Sequence, residues 1–220
     1  MSNFRLCAAC GACVFAASSA LAVDGGALSD FQDLTQQGWE GRLDYMTVKN
    51  TGGPGGGGDA YLRVFSDGNT VPGSPGSRLA IDTGGPEWTG DYLAAGITGI
   101  EADFLNLGAT PLEMRVVLFQ SAANRYTSTT ASIIPADGLW HHAVFPINEA
   151  SFTSVMGSLT YHDMITDVTE LMFRHNAGAP AAGGTPVFTT GGFDNIHMIP
   201  APGVLGAAGL VGLAGLRRRR

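Results

Sequence analysis

The chain has 220 residues, 32 of them glycine and only 14% charged, with 12 Lys and Arg against 19 Asp and Glu. Glycine at roughly twice the ~7% average and few charges favour strands and turns over surface helices. The acidic balance excludes nucleic acid and anionic membrane surfaces as partners, since both require clustered basic residues.

Residues 1–22 have the pattern of a secretory signal peptide: Arg5 as a minimal positive start, an apolar stretch from Leu6 to Ala17, and Ala20-Leu21-Ala22 as the small-x-small cleavage motif. All three cysteines, Cys7, Cys10 and Cys13, fall inside it, so the mature chain is expected to hold no disulfide. Five of the 12 basic residues are Arg5 and Arg217 to Arg220. Removing both ends leaves 7 against all 19 acidic residues, a net charge of about −12, a balance that permits cation binding.

The domain expected over 23–199 begins with Asp30-Phe31-Gln32-Asp33 as an opening strand and Gly38-Trp39-Glu40 as a turn. Thr51 to Gly58, with six glycines around Pro54, cannot hold a helix or a central strand and reads as a mobile loop. It has no Gly-Lys-Ser/Thr and no following helical pattern, so it is neither a phosphate nor a dinucleotide loop. Ala60 to Ser66 alternates, with Leu62 and Val64 on one face; a turn-rich segment follows, then a short strand over Arg78 to Asp82.

Between Gly99 and Phe119, Ile100, Ala102 and Phe104 alternate with Glu101 and Asp103. Beyond the turn Asn106 to Pro111, Leu112, Met114, Val116 and Leu118 alternate with Glu113 and Arg115. This period of two on both sides of a turn predicts an antiparallel hairpin with one buried face, whose solvated face carries Glu101 and Glu113. Further strands are expected over Trp140 to Ile147, Val168 to His175 and Phe193 to Ile199, with a helix at most over Glu149 to Met156. Short strands separated by Gly/Pro turns indicate an all-β, antiparallel two-sheet sandwich.

The order opening Asp-Phe, Gly-Trp, closing Phe193-Asp194-Asn195-Ile196 resembles the jelly-roll sandwiches of carbohydrate-binding modules and galactose-binding-like domains. The resemblance implies a structural calcium tying the first strand to the last, through Asp30 or Asp33 and Asp194. It also implies glycan recognition, for which Trp88, Asp91 and Tyr92 are the candidates, with Trp39, Trp140, Glu87 and Arg125 as further possible contributors. Trp140 begins a strand and is expected in the core. No catalytic constellation is visible: His141-His142 points one ring to each face of a strand, and His162-Asp163 and His175 lack a zinc motif or nucleophile elbow.

The chain closes with Pro200-Ala201-Pro202, an uncharged apolar run of 14 residues from Gly203 to Leu216, and Arg217-Arg218-Arg219-Arg220. As a helix the run spans about 21 Å, short of the ~30 Å hydrocarbon core, so it crosses only by recruiting its flanks; the arginines would hold the C-terminus inside. This tail resembles the PEP-CTERM sorting signal, with Ala201 where the family most often has Glu. The resemblance implies a membrane protease, an exosortase, as processing partner, transient anchoring, and a place at the cell surface or in an exopolysaccharide matrix. The expectation is therefore an exported, non-catalytic surface protein, with a glycan-binding module and a polysaccharide hydrolase or lyase as alternatives.

Overall fold

A computed structural model describes residues 23–41, 45–68 and 79–202. The signal-peptide residues, including Ala20 and Ala22, and the tail residues Gly203 to Arg220, with the arginines at 217 to 220, lie outside the described residues. Two antiparallel sheets pack face to face. The first has the order β2 (Met46–Lys49), β3 (Tyr61–Asp67), β12 (Phe188–Pro200), β5 (Ile97–Asn106), β9 (Trp140–Pro146), with β1 (Leu28–Ser29) also pairing β12. The second has the order β10 (Phe152–Met156), β7 (Arg125–Ser128), β6 (Leu112–Phe119), β11 (Glu170–His175), β4 (Ala80–Thr83), with β8 (Ser132–Ile134) also on β6. The arrangement is the expected jelly-roll sandwich.

The faces of the strands follow the sequence alternation, but the pairing does not. Ile100, Ala102, Phe104, Leu112, Met114, Val116 and Leu118 all lie in one core cluster. Yet β5 pairs β12 and β9, whereas β6 pairs β11, β7 and β8. The expected hairpin is thus an arch, its turn carrying the chain from one sheet to the other. Period two fixes which side of a strand is apolar, and that condition is met equally by neighbours in one sheet and by strands facing each other across the core. In consequence Glu101 and Glu113 stand on opposite outer faces of the sandwich.

Aromatic rings join the layers. Phe173 of β11 stands 5.6 Å from Phe104 and 5.8 Å from Phe145, both of the first sheet, with edge-on geometry. Trp39 packs at 5.8 Å from Phe173 and 5.3 Å from Trp88, and its indole nitrogen donates to Ser29 Oγ at 2.9 Å. Such buried rings contribute both apolar area and a preferred tilted geometry.

Three other expectations change. The opening strand is Leu28–Ser29, and Asp30 to Asp33 lie in the turn after it. Glu149–Ser151 is a single 3₁₀ turn capped by Asn148, which then runs into β10. The α-helix of the described residues is α1, Tyr161–Ile165, whose cap Thr160 accepts from Asp163 N. No helix among the described residues is long and apolar enough to cross a membrane.

Candidate functional site

The residues expected to stack on sugars do not form a site. Trp88 and Tyr92 are 1% and 0% exposed, and the Tyr92 hydroxyl donates to the Trp88 carbonyl at 2.6 Å. Burial pushes that phenol far above its ordinary range, so both rings are core and present no face to a ligand. Asp91 stays at the surface, where its carboxylate accepts from Ala94 N at 2.8 Å as a turn cap. The turn-rich segment around Trp88 suggested exposure, but two aromatics four residues apart were needed to seal the sandwich beside Trp39. Trp140 differs in the other direction. It lies outside the core cluster, half-buried on the outer face of the first sheet, edge-on to Tyr61 at 5.3 Å with its indole donating to Gly52 O. Gly192 makes room for it, since a Cβ there would meet the Trp140 ring at 2.8 Å.

The outer face of the first sheet also carries Asp194. Its neighbour Phe193 points into the core opposite Phe104 and Leu62, so Asp194 points outward beside Asp103. Loop 51–58 nevertheless covers it completely, and Asp194 is 0% exposed. The loop is knit by Gly52 N to Gly56 O, Gly56 N to Gly53 O and Gly53 N to Asp59 O, and Gly55 N donates to Asp59 Oδ2 at 2.5 Å. Asp194 Oδ1 accepts from Asn195 N at 2.8 Å, at a bulge where Asn195 takes a left-handed conformation, φ 48°. Asp194 Oδ2 is buried with no hydrogen-bond partner. Burial, reinforced by the charges of Asp59, Asp103 and Asp30, pushes the Asp194 carboxyl up to about 7.

A Cβ on Gly53 would stand 2.5 Å from Asp59 Oδ2 and 2.9 Å from Asp194 Oδ2, so this glycine roofs a small space lined by two carboxylates. Among the described residues no cluster of three or more His, Cys, Asp or Glu side chains is placed to hold a metal ion. Two carboxylates beside a glycine-rich turn still suit calcium, which takes much of its shell from backbone oxygens. Asp30 belongs to this neighbourhood: it acts on Asp194 electrostatically, and Gln32 bonds both its carbonyl and Asp59 Oδ1. Asp33 does not. Both its oxygens accept from the Thr35 hydroxyl, Oδ1 also from Thr35 N, and it is a turn residue with its carboxyl held below the ordinary range by those bonds. Asp59 was missed because nothing in the sequence brings position 59 to position 194.

The larger concavity is on the opposite side, over the outer face of the second sheet, with a volume of about 520 Å³. Its acidic wall is Glu40, Asp82 and Glu170; its basic side is Arg125 and Arg174; Met172 and Phe119 supply apolar surface. The strands place these groups by alternation. Asp82 lies opposite Met172, which lies opposite Val117, and Glu170 lies opposite Phe119, which lies opposite Arg125. Glu40 joins through a two-way backbone bridge to Asp82. Burial and the neighbouring Glu40 push the Asp82 carboxyl up to about 6. Burial, then Asp82, also raises Glu170, against the opposing pull of Arg125. The Arg125 guanidinium lies 4.9 Å above the centre of the Phe119 ring, a cation–π contact.

Of the expected residues, only Arg125 lies in this groove. The signal for the rest was present in Glu170, Met172 and Arg174, which alternate with the apolar Leu171 and Phe173. His175 is structural: its Nδ1 accepts from Glu113 N at 3.0 Å, and burial lowers its pKa.

No family model matches the chain, and no curated protein matches it in sequence. Solved structures do superpose on it. An exo-β-agarase superposes with a TM-score of 0.53 at 12% identity, over 80% of this chain and 25% of the agarase. A carbohydrate-binding module specific for non-crystalline cellulose, of family 28, gives 0.49 at 16% identity over 82% of this chain and 96% of the module. A family 11 module from Clostridium thermocellum, in complex with a β-1,3-1,4-mixed-linked tetrasaccharide, gives 0.49 at 15% identity over 82% and 98%. The chain thus spans about a quarter of the agarase and nearly all of each module, and the likeness to the agarase, at 12% identity, is one of fold.

Proposed function

We propose that the chain is an exported, non-catalytic glycan-binding β-sandwich, and that the groove over the second sheet holds the glycan. The observation that carries this reading is the composition of the groove. Three carboxylates accept around a small apolar floor edged by Arg125, an arrangement that suits a polyhydroxylated ligand whose every ring offers hydroxyl donors. Hydrogen bonds to charged partners are the stronger kind. Recognition here works through them, because the Phe119 ring face is occupied by Arg125. An exo-β-agarase shares this fold and carbohydrate-binding modules superpose on it, which agrees with the class of ligand. Calorimetric titration with soluble polysaccharides tests the reading, with Glu170→Gln and Asp82→Asn expected to weaken binding several-fold without unfolding the domain. Wild-type affinity in both variants would remove the groove from the function.

A second reading, a polysaccharide hydrolase or lyase, draws on the same carboxylates, since raised carboxyl groups are what acid catalysis uses. Assay of reducing ends released from the bound polysaccharide decides between them; release abolished in Glu170→Gln would make the groove an active site.

The reading of the ends completes the proposal. Residues 1–22 direct export, and Pro200-Ala201-Pro202 with the following apolar run and arginines directs sorting by an exosortase-type protease, leaving the domain at the cell surface or in an extracellular polysaccharide matrix. Pro200 closes β12, and Ala201 N still bonds Gly96 O, so the tail leaves directly from the last strand. Intact mass spectrometry of surface protein should show a chain beginning near Val23 and lacking Arg217 to Arg220; a main species retaining those arginines would overturn the processing step. The domain is further proposed to hold calcium through Asp59 and Asp194, with Asp30 nearby. The ion would supply the positive charge that the buried Asp194 oxygen lacks.

A further inference from the structure

Strand β6 runs through the middle of the second sheet, and its outward side chains should meet solvent. They do not: Arg115, Val117 and Phe119 point away from the core cluster, yet they are 3%, 0% and 5% exposed. At Arg115 the cover is the segment 176–184, and its attachment is specific. Arg115 and Arg174 stand directly opposite each other on neighbouring strands, a like-charge pair that would ordinarily repel. Each instead donates to carbonyls of this segment: Arg115 to Asn176 O at 3.1 Å and Gly178 O at 2.5 Å, and Arg174 to Ala182 O at 2.8 Å and to Ala181 O. Arg125 reaches Ala182 O at 3.4 Å. Gly178 N donates to Glu113 Oε2, and the base is closed by Thr185 N to His175 O and Ala177 N to Thr185 Oγ1. Bonded at both ends and along its length, the segment is a fixed strap across the sheet face.

The strap sets the outline of the groove. Ala182, Gly183 and Gly184 form one wall, Glu40 and Gly41 the opposite one, and Ala122 stands at the Phe119 end. Across an open face of five strands spaced ~4.8 Å apart a ligand could run for about 20 Å; with the strap bonded over Arg115 of β6, the open part is narrower, lying over β4 and β11 and reaching Phe119 and Arg125 at one end. We infer that the groove takes the end of a glycan chain, or a free oligosaccharide of a few rings, and excludes the interior of a long chain. This rests on the glycan-binding reading above and adds its mode: the strap on one side and Glu40 with Gly41 on the other leave room for only a few rings.

The test uses the wild-type domain and ladders of cello-, mixed-linkage β-1,3-1,4-gluco- and agaro-oligosaccharides of about two to eight sugars, with the matching polymers before and after limited cleavage. Affinity should stop rising beyond about three sugars, and polymer binding should scale with the number of chain ends at constant mass. Affinity that climbs to the longest members, with binding proportional to polymer mass, overturns the chain-end mode and leaves glycan binding intact. Absence of binding to all three ladders and polymers overturns both. A variant with Ala181 to Gly183 deleted, if it melts as the wild type does, should gain affinity for the long members by about tenfold; unchanged long-chain affinity would show that the strap is not the barrier.

Discussion

The two outer faces of the sandwich are each roofed by a glycine-rich segment, and the two roofs have opposite polarity. Segment 176–184 turns carbonyl oxygens toward Arg115 and Arg174, so two neighbouring guanidinium groups are accommodated by backbone acceptors. Loop 51–58 gives a backbone N–H to Asp59 but leaves Asp194 Oδ2 without a donor. Buried charge of one sign is therefore satisfied by the chain itself on one side, while on the other it calls for a proton or a cation. Small residues serve both roofs because a backbone without bulky side chains can be brought close enough to act as the ligand.

The largest expected effect breaks the comparison at Asp194. Its carboxyl, raised to about 7 from an ordinary 3.8, keeps its proton in the folded protein where the unfolded chain has lost it. The stabilisation this gives is complete below about pH 4 and is lost as pH rises through 7, up to about 4 kcal/mol at ~1.4 kcal/mol per unit. In chelator the melting temperature should therefore fall between pH 5 and pH 8, and added calcium should restore it at pH 8. Asp194→Asn should flatten the fall and abolish the calcium response. Matching pH profiles for wild type and Asp194→Asn in chelator would remove both the buried charge and the metal from the account.

On the opposite face, Arg115→Ala should cost about 3 kcal/mol by chemical denaturation, since it strands the carbonyls of Ser128, Thr129, Asn176 and Gly178, and it should not respond to calcium. Glu113→Gln keeps an acceptor for Gly178 N and should stay within about 0.5 kcal/mol of wild type. Gly53→Ala sharpens the contrast more gently: its Cβ would press on both carboxylates, costing about 1–2 kcal/mol by overpacking and lowering calcium affinity in a titration. In the groove, the effect expected at Asp82→Asn is on binding and its pH dependence. With the wild-type carboxyl at about 6, glycan affinity should drop a few-fold as pH falls from 7 to 5 and an acceptor is protonated, and the variant should lose that slope.

Much of the fold was legible because facing is a local property. Alternation placed Phe104, Met114 and Val116 in the core, marked β3, β9, β11 and β12 as strands, and pointed to an all-β sandwich; the resemblance of the closing Phe193-Asp194-Asn195-Ile196 run pointed to Asp194. The outward charges of β11 were legible too, in the alternation of Glu170, Met172 and Arg174 with Leu171 and Phe173. What the tertiary structure alone decided is every relation between distant segments. It put β5 and β6 in different sheets, sank Trp88 and Tyr92 while leaving Trp140 at the surface, and brought Asp59 to Asp194 and Glu40 to Asp82. It also laid residues 176–184 over β6. The physical reason is that a strand's apolar side is set by its own residues, whereas its partner is chosen by the closure of the whole core. Only that closure determines which backbone groups are left to satisfy a buried charge.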